Sequence, residues 1–129
     1  FNNGNLFRDF TYIDDIVEGL SRIIKNPAVS NPKWNSTNPD PGSSHAPWRI
    51  YNIGNSKPVN LMDYIYAIEK SLGKKAKINF LPLQPGDVET TFAEIDDLIR
   101  DFNYKPKTDV ADGIEKFISW YKNFYKVEE

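Results

Sequence analysis

Apolar residues recur at helical spacing in three stretches of this chain and at strand-like spacing in two shorter ones. In residues 11–25, Ile13, Ile16, Val17, Leu20, Ile23 and Ile24 fall at the three- and four-residue intervals of one helix face. Thr11 and Asp14 ahead of them are arranged like a capping box, so the pattern predicts a helix over 11–25. Residues 26–47 have no period and contain five of the nine prolines, Pro27, Pro32, Pro39, Pro41 and Pro47, among Ser, Asn, Asp and Gly. Neither helix nor strand tolerates that spacing of proline, and a long surface loop is expected. The run WRIYNI at 48–53 is β-branched and aromatic and stops at Gly54-Asn55, which predicts a short strand entering a tight turn.

A second helix is signalled by Asn60 and Asp63 as capping residues, by Leu61, Tyr64, Ile65, Ile68 and Leu72 on one face, and by Gly73 as the stop. Residues 77–81 alternate like a strand, 82–87 read as a loop, and 90–92 as a short extended piece. Two helices close the chain. The first, 96–102, is short; the second, 110–125, follows a Thr108 cap and carries Val110, Ile114, Phe117, Ile118, Tyr121 and Phe124 along one face. Helix and strand signals alternate without internal repeat, the pattern of an α/β layer arrangement.

Composition narrows the function classes. The 129 residues carry 16 basic and 18 acidic side chains for a net charge of −2, so there is no basic footprint for nucleic acid. The absence of cysteine excludes disulfides, zinc-thiolate sites and a thiol nucleophile, and is compatible with a cytoplasmic location. No apolar run is long enough to cross a membrane or to serve as a secretory signal. The length suits one domain, and a start at Phe1 rather than Met leads us to expect a fragment.

Catalytic hardware is sparse. The single histidine, His45, lies in the Ser43-Ser44-His45-Ala46-Pro47 loop segment with no second histidine for a metal and no Ser-His-Asp motif, and is read as a solvated loop residue. No two of the seven glycines are close enough to cradle a phosphate, so the chain by itself is not expected to hold a dinucleotide. Tyr66 and Lys70 have the Tyr-x-x-x-Lys spacing of a tyrosine general base, but Tyr66 lies off the apolar face and is read as solvent-facing. The pairs Asp14-Asp15 and Asp96-Asp97 complement helix dipoles, which needs no metal. The aromatic residues Trp120, Tyr121, Phe124 and Tyr125 are read as core or docking face of the last helix.

Two segments carry binding chemistry. Arg8, in Arg8-Asp9-Phe10 before the first helix, could meet a phosphate bidentately at a strand-to-helix junction, or pair with a neighbouring acid. Gln84-Pro85-Gly86-Asp87 is a polar turn whose glycine would allow close backbone approach and whose Asp could accept bonds from sugar hydroxyls, or it is only a turn.

The run Arg8-Asp9-Phe10-Thr11-Tyr12-Ile13-Asp14-Asp15-Ile16-Val17-Glu18-Gly19 resembles a segment of the extended short-chain dehydrogenase/reductase enzymes that act on nucleotide sugars. Further matches follow in order: Tyr51-Asn52-Ile53-Gly54-Asn55, Leu61-Met62-Asp63-Tyr64-Ile65, Gln84-Pro85-Gly86-Asp87-Val88, and Gly113-Ile114 with Phe117, Trp120 and Tyr121. The subgroup most resembled is the UDP-glucuronate 4-epimerases. The resemblance implies that 1–129 is the C-terminal substrate-binding part of such an NAD-dependent enzyme, with the Rossmann cofactor domain largely missing. An upstream part would bind NAD and supply the catalytic Tyr-Lys pair, leaving this fragment without catalytic residues, inactive alone, and exposing apolar surface that normally docks.

By the same resemblance Arg8 would contact the UDP pyrophosphate, Phe1 would lie near the uracil, Phe10 beside the arginine, and Asp87 by the nucleotide ribose. Gln84 departs from the arginine that many relatives place there, which puts its contact in doubt. A UDP-sugar dehydratase or decarboxylase on the same scaffold stays open, as does a stand-alone nucleotide-sugar binding module. A homodimeric parent also stays open, and the pathway implied is supply of precursors for capsule or surface polysaccharide.

Overall fold

The computed structural model describes residues 1–127. A single 3₁₀ turn, Asn2–Gly4, leads into β1 (Phe7–Arg8), α1 (Ile13–Lys25), β2 (Val59–Asn60), α2 (Leu61–Leu72), α3 (Asp96–Phe102) and α4 (Val110–Tyr125). The two strands pair antiparallel, with Phe7 opposite Asn60 and Arg8 opposite Val59. On its other side β1 meets a parallel bridge from Phe7 to Thr90. Helix α2 packs along α4, and α1 lies against α3.

Helix α2 forms for the reasons its sequence suggests. The Asn60 side chain accepts the Met62 N–H, and Gly73 adopts the left-handed conformation (φ 67°) that ends the helix. Helices α3 and α4 also occupy the expected residues. The expected caps on α1 and α4 are absent: their first flanking residues are Tyr12 and Asp109, and neither makes a side-chain capping bond. Thr108 instead donates its backbone N–H to the Asp15 carboxylate, 3.0 Å away.

That bond lies on the inward side of α1, whose apolar stripe points outward as the resemblance implies for a fragment, with Ile13, Val17, Leu20 and Ile24 exposed at 59%, 51%, 45% and 78%. The side turned inward is polar and small. Asp15 is buried, Gly19 lies against the ring of buried Tyr104, and Tyr104 donates its hydroxyl to the Asp15 carbonyl oxygen. Arg22 reaches the carbonyls of Phe102 and Asn103 at 3.1 and 2.6 Å and pairs with Glu18 at 2.6 Å. Asp15 is therefore a buried tether rather than a simple dipole partner, since a buried carboxylate needs such donors.

The core is correspondingly small: Leu6, Ile95, Leu98, Tyr104, Ile114 and Ile118. Of the apolar face expected on α4, Ile114 and Ile118 enter it, whereas Phe117, Tyr121 and Phe124 stay exposed and stack with Trp120 and Tyr125 along the helix.

Neither expected strand forms. Residues 48–53 make only one bridge, Ser43 to Arg49, and 77–81 none, among the described residues. β-forming side chains need a neighbouring strand, and 48–53 finds none here. The segment is held by side chains instead: Arg49 pairs with Asp97 at 2.9 Å, and the Tyr51 hydroxyl donates to Asp101 at 2.8 Å.

The 26–47 loop is irregular but tied to itself. Asp40 accepts from the Ser43 hydroxyl (2.6 Å) and the Gly42 N–H (2.9 Å), Asn31 donates to Ser43 (2.9 Å), and the Trp34 indole donates to the Asp40 carbonyl (3.2 Å).

Candidate functional site

Arg8 sits at the end of β1, with four residues between it and the start of α1. Its Nη1 donates to the carbonyls of Phe7 (2.9 Å) and Glu89 (3.1 Å), which fixes the plane of the guanidinium. Its Nη2 donates to Asp87 Oδ1 at 3.1 Å. The two residues that carry the candidate binding chemistry are thus joined across 79 positions of sequence. Their side chains remain 24% and 32% exposed, so a solute can reach both.

Asp87 closes a turn in which its N–H bonds the Gln84 carbonyl at 3.1 Å. The turn needs a glycine at position 86, where φ is +85°, a region costly for other residues. The Gln84 side chain stands in a fully exposed stretch. Phe1 is 44% exposed, and the turn that follows it is bonded from the Asn3 N–H to the Leu81 carbonyl (2.9 Å), a few residues ahead of Gln84.

Phe10 faces away from this pair. Its ring stacks on Tyr64 with centroids 4.1 Å apart, in the wall of an apolar cavity of about 280 Å³ between the start of α1, α2 and α4. Ile68, Val110, Ile114 and Phe117 complete that wall. His45 is exposed with its ring 5.2 Å from Trp34, and Tyr66 is 52% exposed.

A residue that sequence reasoning passed over holds the site together. Asp9 accepts backbone N–H bonds from Ser56 (3.0 Å), Lys57 (3.2 Å) and Ala93 (3.0 Å), and donates its own N–H to the Thr91 hydroxyl (3.2 Å). Its carboxylate gathers the 54–57 turn and the 91–93 segment onto the end of β1, directly beside Arg8. Gly54 is required there: a Cβ would stand 2.2 Å from Ala93 Cβ and 2.8 Å from Asp9 Oδ2. The sequence offered only a hint, an acidic residue between two candidate residues with a Gly-Asn-Ser turn elsewhere in the chain.

Two tyrosines are held neutral. Burial pushes Tyr104 up to about 12, with Asp15 and Glu18 adding to the effect. Burial and then the Asp101 carboxylate push Tyr51 to about 12 as well. Asp101 is held below the usual carboxylate range by Arg100 first and Tyr51 after it. Tyr51 and Asp101 fasten 49–51 to α3 and Tyr104 fastens its own segment to α1, and neither tyrosine hydrogen-bonds Arg8 or Asp87.

α1, α2, α3 and α4 start after Tyr12, Asn60, Ile95 and Asp109, none of which lies in a glycine turn of the kind that cradles a pyrophosphate. No described helix is long and apolar enough to cross a membrane.

No protein-family model matches the chain. It is 55% identical over 126 residues to the protein CapI of Staphylococcus aureus, covering 98% of this chain and 38% of that protein. It is 40% identical over 126 residues to UDP-glucuronate 4-epimerase 2 of Arabidopsis thaliana, covering 97% of this chain and 28% of the plant protein. Among solved structures, UDP-glucuronic acid 4-epimerase from Bacillus cereus, in complex with UDP-glucuronic acid and NAD, superposes with a TM-score of 0.69 and 30% identity over 97% of this chain and 35% of that one. The chain therefore spans between 28% and 38% of the length of these relatives.

Proposed function

We infer that this chain, which corresponds to the C-terminal portion of the extended short-chain dehydrogenase/reductase nucleotide-sugar epimerases, forms the substrate side of a UDP-glucuronate 4-epimerase. The observation that carries the reading is the Arg8–Asp87 pair, a cation and an acceptor brought together from positions 79 residues apart on a scaffold like that of the B. cereus enzyme. Arg8 would hold the diphosphate of the substrate, since a guanidinium matches phosphate geometry, and Asp87 would accept bonds from the ribose hydroxyls. Phe1 would border the uracil and Phe10, backed by Tyr64, would support the strand that carries Arg8. Gln84 would contribute a neutral contact in place of a cationic one.

NAD, the cofactor of the parent family, would be held by residues outside this sequence and would supply the hydride exchange when bound. This chain's task is to bind and orient the sugar nucleotide. We read the apolar stripe of α1 as the face that docks on the rest of the parent polypeptide, and the isolated chain as inactive. A cytoplasmic enzyme supplying uronic acid nucleotides for surface polysaccharide fits this assignment.

The test is to incubate the full-length polypeptide with UDP-glucuronate and separate the products by chromatography. UDP-galacturonate is expected; a UDP-pentose would replace epimerisation by decarboxylation, and no turnover by a folded, NAD-loaded protein would overturn the sugar assignment. Arg8→Ala is expected to weaken UDP binding by about 1.5 to 3 kcal/mol, the range for a lost hydrogen bond to a charged group. Unchanged affinity would remove Arg8 from the site.

A further inference from the structure

Residues 81–90, which carry Asp87, are exposed at every position, so no buried side chain fixes where the stretch lies. Hydrogen bonds at its two ends do that instead. At the near end the Asn3 N–H donates to the Leu81 carbonyl at 2.9 Å. At the far end the Phe7 N–H donates to the Glu89 carbonyl (2.8 Å) and the Thr91 N–H to the Phe7 carbonyl (3.1 Å). There the backbone pairing stops, and side chains continue it: the Asp9 N–H donates to the Thr91 hydroxyl at 3.2 Å, and Asp9 Oδ2 accepts the Ala93 N–H at 3.0 Å. The same carboxylate is anchored by the Ser56 and Lys57 N–H groups, at 3.0 and 3.2 Å. Both groups of the candidate site lean on this seam. Arg8 Nη1 donates to the Glu89 carbonyl at 3.1 Å, so the guanidinium is oriented by where Glu89 lies. The Arg8–Asp87 ion pair is itself partly exposed, and such pairs do little to hold a segment in place.

We propose that Asp9 is a positioning residue for nucleotide binding: by clamping residues 91–93 to the end of β1, it sets where Asp87 and the Glu89 carbonyl stand relative to Arg8. The proposal rests on the reading of Arg8 and Asp87 as nucleotide contacts. Asp9 itself spends its carboxylate on backbone N–H groups and acts through the segment it holds. Without the clamp the exposed stretch drifts from Arg8, and the nucleotide is gripped less well. The nucleotide is not the reacting part of the substrate and is held alike before and during the reaction, so the loss falls on KM and not on kcat.

Steady-state turnover of UDP-glucuronate by the full-length, NAD-loaded polypeptide tests this. Asp9→Ala is expected to raise KM about tenfold, the scale of a displacement of a fraction of an ångström at a binding group, with kcat within about twofold. Asp9→Asn keeps a carbonyl oxygen for the Ala93 N–H and is expected to restore most of the lost affinity. Thr91→Val removes only the hydroxyl that accepts the Asp9 N–H, and is expected to raise KM about threefold, the size of one neutral hydrogen bond. Tyr104→Phe removes a buried hydrogen bond to α1 that involves neither β1 nor 87–93, and is expected to leave KM unchanged. A KM unchanged in Thr91→Val would overturn the proposal even where Asp9→Ala fails to fold. So would a fall in kcat at constant KM in Asp9→Ala, or a rise in Tyr104→Phe as large as that in Asp9→Ala, which would mark a general loss of stability. The nucleotide-site reading has its own variant: a KM unchanged in Arg8→Ala removes that reading, whatever the Asp9 variants do.

Discussion

Replacing Asp9 by alanine is the most informative perturbation of this fold. The carboxylate accepts from Ser56, Lys57 and Ala93, and a methyl group accepts nothing, so three N–H groups lose their partner at once. Lys57 is exposed, and water replaces most of what its N–H loses. The Ser56 and Ala93 bonds are part-buried, and each bond to a charged acceptor is worth about 1.5 kcal/mol at the low end of its range. The expected destabilisation is about 3 kcal/mol, a large fraction of a small domain's stability. Asp9→Asn keeps one carbonyl oxygen for Ser56 and Ala93 but turns an NH₂ group toward the Lys57 N–H, and is expected to cost about 1 kcal/mol. Urea unfolding of the chain followed by circular dichroism, with linear extrapolation, gives both numbers. An Asp9→Ala chain within 0.5 kcal/mol of the unmodified one, or an asparagine variant less stable than the alanine one, would refute the reasoning.

Other outcomes follow from the same geometry. Gly54→Ala would push a methyl group to 2.2 Å from Ala93 Cβ and against the Asp9 carboxylate, and is expected to cost at least the 1 to 3 kcal/mol typical of overpacking, read by the same unfolding assay. Tyr51 and Tyr104 both have folded values near 12, above the ordinary 10.0, so folding favours their neutral form. Their contribution is complete below pH 10 and is lost as the pH rises through about 12. Absorbance at alkaline pH is therefore expected to show tyrosine ionisation that continues up to about 12, and none above the ordinary 10.0 would contradict the burial of Tyr51 and Tyr104. Val17→Asp and Ile24→Glu sit on the outward stripe of α1, and each is expected to change the chain's own stability by less than about 0.5 kcal/mol. In the full-length polypeptide the same substitutions are expected to lower the melting temperature, and an unchanged value would mean that nothing docks there.

Much of the local structure could be read from residues alone. Asn60 and Gly73 mark both ends of α2, and the periodicity of 96–102 and 110–125 fits α3 and α4, because caps and apolar spacing act within a few residues. What could not be read depends on partners far along the chain. The stripe of α1 shows a helix with an apolar face, but whether that face turns inward depends on what else is present; here Tyr104 and the 102–108 segment take the polar side instead. The 48–53 run has strand chemistry and no strand beside it. At the site, the residue types of Arg8 and Asp87 drew notice separately, whereas their pairing and the role of Asp9 rest on bonds spanning 47 to 84 positions.

The outward stripe of α1 also sets the solution behaviour of the isolated chain. Contacts made through Ile13, Val17, Leu20 and Ile24 remove apolar surface from water, and near room temperature that gain is entropic. Self-association of the chain should therefore strengthen on warming and in sulfate, and persist in concentrated sodium chloride, the reverse of what a charge-driven contact would do. Storage cold and dilute, rather than at high ionic strength, is the condition that keeps such a chain monomeric.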